Sequence, residues 1–168
     1  MKEKVAASAW ALFAIAAVFL VLAFFAWRQA DNSPQRARAD LRDSALVEGT
    51  EAIETMNSMD HRHVADGFKA WRAVSTGVLH DQLATVGSDE EQLVADQGKI
   101  TSGHVVQAAV TELTDSTATV IAAVEITVRT DDDSAKPTVK RNRFSADLVL
   151  IRGQWKVENL QQVAVTTS

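Results

Sequence analysis

The chain has no cysteine and no tyrosine, and only two prolines among its 168 residues. Without cysteine there is no Cys/His catalytic arrangement and no lipid-modified cysteine anchor, and the redox compartment is left open. Two prolines and no low-complexity tract predict an ordered domain and not a tail. Positive charge is also in short supply. Lys and Arg number 17 against 22 Asp and Glu, for a net charge of −5, and setting aside Lys2, Glu3, Lys4 and Arg28 leaves the remainder more acidic still. A phosphate-backbone binder needs a basic patch, so nucleic acid is excluded as a partner class. No Gly-x-Ser-x-Gly elbow occurs, and no internal repeat.

What the chain does have is an uncharged apolar run from Val5 to Trp27. At helical rise it reaches roughly 35 Å, enough for a hydrocarbon core of ~30 Å. Trp10 and Trp27 fall toward its ends, where indole rings favour the membrane interface. The apolar core is longer than the ~7–15 residues of a cleaved signal peptide, and Arg28-Gln29-Ala30 offers no small-x-small exit. The run therefore reads as an uncleaved signal anchor over residues 5–27, behind a short cytoplasmic N-terminus, residues 1–4. Ala7, Ala11 and Ala14 form a small-residue stripe suited to another membrane helix; the plainer reading is lipid-facing alanine. Counting flanking Lys and Arg mildly favours a cytoplasmic C-terminal domain. A basic N-terminus ahead of one long apolar run resembles an export signal, and long domains translocate largely regardless of charge. The expectation is a single-pass protein of the cell membrane with its C-terminal domain outside the cytoplasm.

Beyond the anchor, residues 28–59 read as a juxtamembrane helix that starts at Ser33-Pro34 and places Leu41, Ala45, Gly49, Ala52, Ile53 and Met56 on one side. Its basic cluster Arg36, Arg38 and Arg42 reads as a solvated face, or as a contact for anionic headgroups. Residues 60–168 form the rest of the domain, with 34–59 as its first helix. Asp60 or Ser58 is expected to cap a second helix running toward Thr76, on which Val64, Phe68 and Trp71 make an apolar stripe. Gly77 marks a helix end or turn, Val78 to Val86 a third short helix, and Ser88-Asp89-Glu90-Glu91 the start of a last one ending near Gly98.

From Gly103 the period becomes alternating. Four strands are expected: His104–Leu113, Thr117–Thr130, Val139–Arg152 and Trp155–Val165, closely connected and therefore antiparallel. Helices followed by such a meander predict an α+β domain, with the helices packed on one face of a curved four-stranded sheet. That is the shape of the nuclear transport factor 2-like cone.

Enzymes on such cones usually hold a His/Asp or Tyr/Asp pair deep in the pocket, and this chain has no tyrosine. Asp60-His61-Arg62-His63 is its densest polar cluster. On a helix, His61 and His63 at i, i+2 point to different sides and do not chelate one ion, so capping and exposed polar roles are expected there. His80-Asp81 are adjacent and do not face each other, and His104 is expected at a sheet edge. Asp131-Asp132-Asp133 lacks the alternating ligands, turn glycine and distal glutamate of an EF-hand loop and reads as a solvated hairpin tip. No catalytic, cofactor-binding or metal-binding residue is assigned; the expectation is a protein that is not an enzyme.

Several segments together carry a resemblance: Asn57-Ser58-Met59-Asp60, Gly67-Phe68-x-x-Trp71, Ser75-Thr76-Gly77-Val78-Leu79-His80, Ala109-Val110-Thr111-Glu112-Leu113, and Gly153-Gln154-Trp155-Lys156-Val157 before Leu160. Following a single anchor, they resemble the actinobacterial Mce-associated membrane proteins across nearly the whole chain. The resemblance implies a non-enzymatic bitopic accessory or scaffold protein that stabilises an Mce-type lipid import complex. Its implied partners are Mce-complex subunits or a permease, with lipid as a further candidate. Phe68, Trp71, Gly77, Leu79 and Trp155 match as fold-determining positions, and Phe68, Trp71, Leu79 and Trp155 are the candidate core or pocket lining. Burying each aromatic is worth about 2–3 kcal/mol. Two alternatives use the same fold: a small-ligand-binding or enzymatic cone, with Asp60, His61 or His80 buried in it, and the bitopic scaffold subunit of a type IV secretion system. The latter usually carries a longer N-terminal segment than Met1–Lys4.

Overall fold

The structure, a computed structural model, describes residues 16–25, 34–131 and 135–163. The chain divides into two units, Met1–Asp40 and Leu41–Ser168. In the first, residues 16–25 are helical with exposed apolar side chains. The other residues of the apolar run, with Ala7, Ala11 and Ala14, lie outside the described residues. Among the described residues no helix is long and apolar enough to cross a membrane.

The second unit begins within helix α1, Pro34–Met56. Strand β1 is Met59–Asp60, followed by helices α2 (Val64–Val74), α3 (Gly77–Ala84) and α4 (Ser88–Ala95). Strands β2 (Lys99–Leu113), β3 (Thr117–Thr130), β4 (Thr138–Ile151) and β5 (Gln154–Gln162) complete the chain. The five strands pair antiparallel in sequence order.

The expected sheet of four strands is thus corrected to five. The added strand is two residues long, with Met59 opposite Thr101 and Asp60 opposite Ile100. A pair of residues shows no alternation, so its tetrapeptide reads as a helix breaker. Strand β2 also starts earlier than His104, because Lys99–Ser102 becomes strand only through its pairing with β1 and β3.

Both expected caps of the second helix are engaged elsewhere. Ser58 Oγ donates to Glu54 O and accepts the Gly103 N–H, while Asp60 is held by Arg62. The helix therefore starts later, at Val64, with His63 in the cap position. Gly77 opens α3 instead of closing α2. Its φ of +59° is open to glycine and strained for other residues. That turn is tied to the sheet where the Thr76 N–H donates to Val157 O at 2.9 Å. Gly87 takes the cap position ahead of Ser88, with its N–H donating to Glu90 Oε2 at 3.0 Å.

The main core lies between α1 and the inner face of the sheet. Ala45, Gly49, Ala52 and Ile53 form the buried stripe of α1, packed in one cluster with Val120, Val124, Leu148, Trp155 and Val157. A Cβ at position 49 would stand 2.7 Å from Leu148 Cδ1, so a glycine is used where the helix touches the sheet. Trp155 is fixed at both ends: its indole N–H donates to Ser44 Oγ at 3.0 Å and its backbone N–H to Glu48 Oε2 at 2.7 Å.

Candidate functional site

The candidate lining residues separate into two places. Phe68 and Trp71, at i and i+3 on α2, meet edge to face with ring centroids 5.3 Å apart. The Trp71 indole N–H donates to Thr55 O at 2.8 Å and Ser58 O at 3.1 Å, closing the end of α1. Its polar atom is consumed there, so the ring offers carbon surface elsewhere. Phe68 belongs to a second cluster with Val64 and Leu83, against which Met59, Trp71 and Val94 pack. Trp155 belongs to the main core, and Leu79 packs against both clusters.

Each aromatic site borders its own small cleft. One of about 240 Å³ lies over Met59, Phe68, Trp71 and Val94, with Gln97, Lys99 and Thr101 at its border. Another of about 170 Å³ lies beside Trp155, between Glu48 and Glu51 of α1 and Gln154 and Lys156 of β5. The Lys156 ammonium donates to Ala73 O at 2.6 Å across that second cleft. Both are below the ~300–1,000 Å³ of typical small-molecule sites. Spacing on α2 reveals Phe68 and Trp71, but Lys99 and Thr101 reach the first cleft from β2, and no local pattern announces that.

The polar residues group differently from the clefts. The Arg62 guanidinium grips Asp60 through two hydrogen bonds of 2.9 and 2.8 Å, and the Arg62 backbone N–H adds a third at 2.9 Å. These bonds hold the Asp60 carboxyl well below the usual carboxylate range, and Asp60 in turn raises the Arg62 guanidinium. His63 Nδ1 stands 3.7 Å from Asp60 Oδ2. His61 points away: its side chain is 12% exposed and Nε2 lies 2.8 Å from Asp131 Oδ2, without hydrogen-bond alignment. Asp132 and Asp133 lie outside the described residues.

His104 Nδ1 approaches Glu54 Oε1 at 3.0 Å, and the same oxygen accepts the Val105 N–H at 2.7 Å. His80 and Asp81 are exposed, 3.5 Å apart. No histidine lines either cleft. Among the described residues no three His, Cys, Asp or Glu side chains converge as a metal site would require. The His61–Asp131 approach spans the β1–α2 junction and the end of β3, and the His104–Glu54 pair joins β2 to α1.

Helices on one face of an antiparallel meander make an α+β domain, and solved structures share this fold. An IcmL-like type IV secretion system protein from Legionella pneumophila is 13% identical, with a TM-score of 0.59 over 76% of this chain and 95% of its own. The periplasmic domain of DotI is 12% identical, with a TM-score of 0.58 over 73% of this chain and 95% of its own. The VirB8 protein of Agrobacterium tumefaciens is 10% identical, with a TM-score of 0.53 over 73% of this chain and 91% of its own. At these identities the likeness is one of fold. No protein-family model matches the chain, and no curated protein matches it in sequence. The comparisons lend no support to the Mce-associated family; the structural neighbours are VirB8, DotI and IcmL-type domains.

Proposed function

We propose that this chain is a non-enzymatic, single-pass membrane subunit whose cone domain stands outside the cytoplasm and serves as a scaffold in an envelope-spanning translocation complex of the type IV secretion kind. The observation that carries this reading is the likeness in fold to secretion proteins, over 73–76% of this chain and 91–95% of theirs. The filled contact between α1 and the sheet supports it as well, since a helix seated directly on Val120 and Leu148 leaves no room there for a lipid or substrate. The apolar run at the N-terminus supports membrane attachment.

The Mce-type lipid import complex is the second reading, favoured by the ordered motif set. Much of that set falls at packing positions: Phe68, Trp71, Gly77 and Trp155 build cores and a turn. The motifs therefore fit both readings, and the structural neighbours favour the first.

The test is affinity purification of the full-length chain from its native membranes in mild detergent, with Ala7, Ala11 and Ala14 changed to Leu as a control. Secretion-channel or coupling subunits among the retained proteins support the proposal, and Mce or permease subunits move it to the second reading. Loss of partners in the control puts the alanine stripe in the interface. Retrieval of no membrane protein overturns the scaffold reading.

A further inference from the structure

We infer that the cleft over Phe68 and Trp71 is a socket for one apolar side chain of a partner polypeptide, an aromatic or branched residue beside a carboxylate. The inference deepens the scaffold reading and rests on it for the identity of the occupant as a protein.

The chemistry of the cleft is divided. Its floor is the Phe68–Trp71 pair with Met59 and Val94 beside it, and the Trp71 N–H is turned away into the end of α1. Its border carries Gln97 and Lys99, both exposed. Among the described residues Lys99 enters no ion pair and the Gln97 side-chain amide no hydrogen bond. An apolar floor with an unpaired cation and a free amide at its edge complements an apolar group that carries an acid next to it.

Size and surroundings select a polypeptide over a free small molecule. A cleft of about 240 Å³ holds roughly one large side chain, less than the ~300–1,000 Å³ that encloses a typical ligand. A polypeptide supplies the missing contact from its flanks, and the domain offers apolar surface for that. Leu93, next in sequence to Val94, is 67% exposed, and α4 has no buried residue of its own. One anchor side chain in a pocket, ringed by weaker contacts, is the usual energetic pattern of protein interfaces.

The test uses the full-length chain in detergent micelles with 13C-methyl methionine, which gives signals from Met1, Met56 and Met59. The probe is the blocked peptide acetyl-Gly-Phe-Asp-Gly-amide, with counterparts carrying Ala for Phe or Lys for Asp. A saturable ring-current shift at Met59, lost with the Ala peptide and weakened at least five-fold both by Lys99→Glu and by the Lys peptide, supports the inference. Val94→Trp, which fills the cleft, is expected to abolish the shift. No saturable shift, an equal shift from the Ala peptide, or indifference to Lys99→Glu overturns it. Lys99 is exposed, so that variant retains the fold. Binding of 3-phenylpropionate more tightly than the peptide overturns the assignment to a polypeptide. The titration needs no cellular partner, so its failure is distinguishable from failure of the purification experiment.

Discussion

The core beneath α1 and the cluster among the short helices solve the same burial problem with different residues. Beneath α1, small residues bring the helix close to side chains of the sheet: Gly49 lies against Leu148 and Val120, Ala45 and Ala52 share their cluster, and almost nothing is exposed. Among α2, α3 and α4, buried Val64, Phe68 and Leu83 are surrounded by partly buried residues, and a half-open cleft remains over Phe68 and Trp71. Tight packing of small residues leaves no adjustable volume, so it specifies the fold. A cleft left open beside Met and aromatic residues is surface that a partner can use. Stability belongs to the first region and recognition to the second.

The comparison breaks most sharply at Leu148. Leu148→Ala is expected to cost about 3 kcal/mol, read from denaturant midpoints, because its site is closed on every side. In that background Gly49→Ala should recover part of the loss, since the Cδ1 its Cβ would meet is gone. If the double variant is no better than the single one, the close approach of α1 to the sheet is not what selects glycine.

Gly77→Val tests the turn that joins the two regions. It forces a branched residue to φ near +59°, with its Cβ 3.2 Å from Glu158 Oε1, and should cost about 1–2 kcal/mol. An unchanged melting temperature would reject the backbone role of Gly77.

Trp71→Phe keeps the ring in the second cluster and removes only the N–H shared by Thr55 O and Ser58 O. A loss of about 1 kcal/mol is expected. A much larger loss would show that the second cluster is as closed as the first.

The smallest effect sits at the β1–α2 junction. The folded Asp60 carboxyl titrates below its ordinary value of 3.8 because Arg62 binds the charged form. Its contribution is therefore complete above that pH and is lost as pH falls through the folded value. Asp60→Asn should be slightly less stable than the native chain at pH 5 to 7, and the difference should shrink in acid. A difference that persists undiminished to about pH 2 would remove the ion pair as its source.

Strand β3 is legible in the sequence at its bounds, since Val120, Ala122 and Val124 alternate with more exposed neighbours over a long uninterrupted run. The α1 stripe is legible for the same reason, at helical period. Strand β1 is not, because two residues become strand only when Thr101 and Ile100 arrive beside them. Half of the candidate cleft was readable, as Phe68 and Trp71 share one helix face. The other half, Val94, Gln97, Lys99 and Thr101, lies 23 to 33 positions further along the chain and is brought there by folding. The resemblance to Mce-associated proteins was carried by residues that pack and turn, so it identified a fold more firmly than a partner.

The most direct measurement is native mass spectrometry of the full-length protein, released from its own membranes in mild detergent. A scaffold subunit leaves the membrane bound to other protein subunits, with no stoichiometric small molecule. A chain that carries one small molecule per copy and no protein partner would contradict it and reassign the cone as a ligand-binding domain.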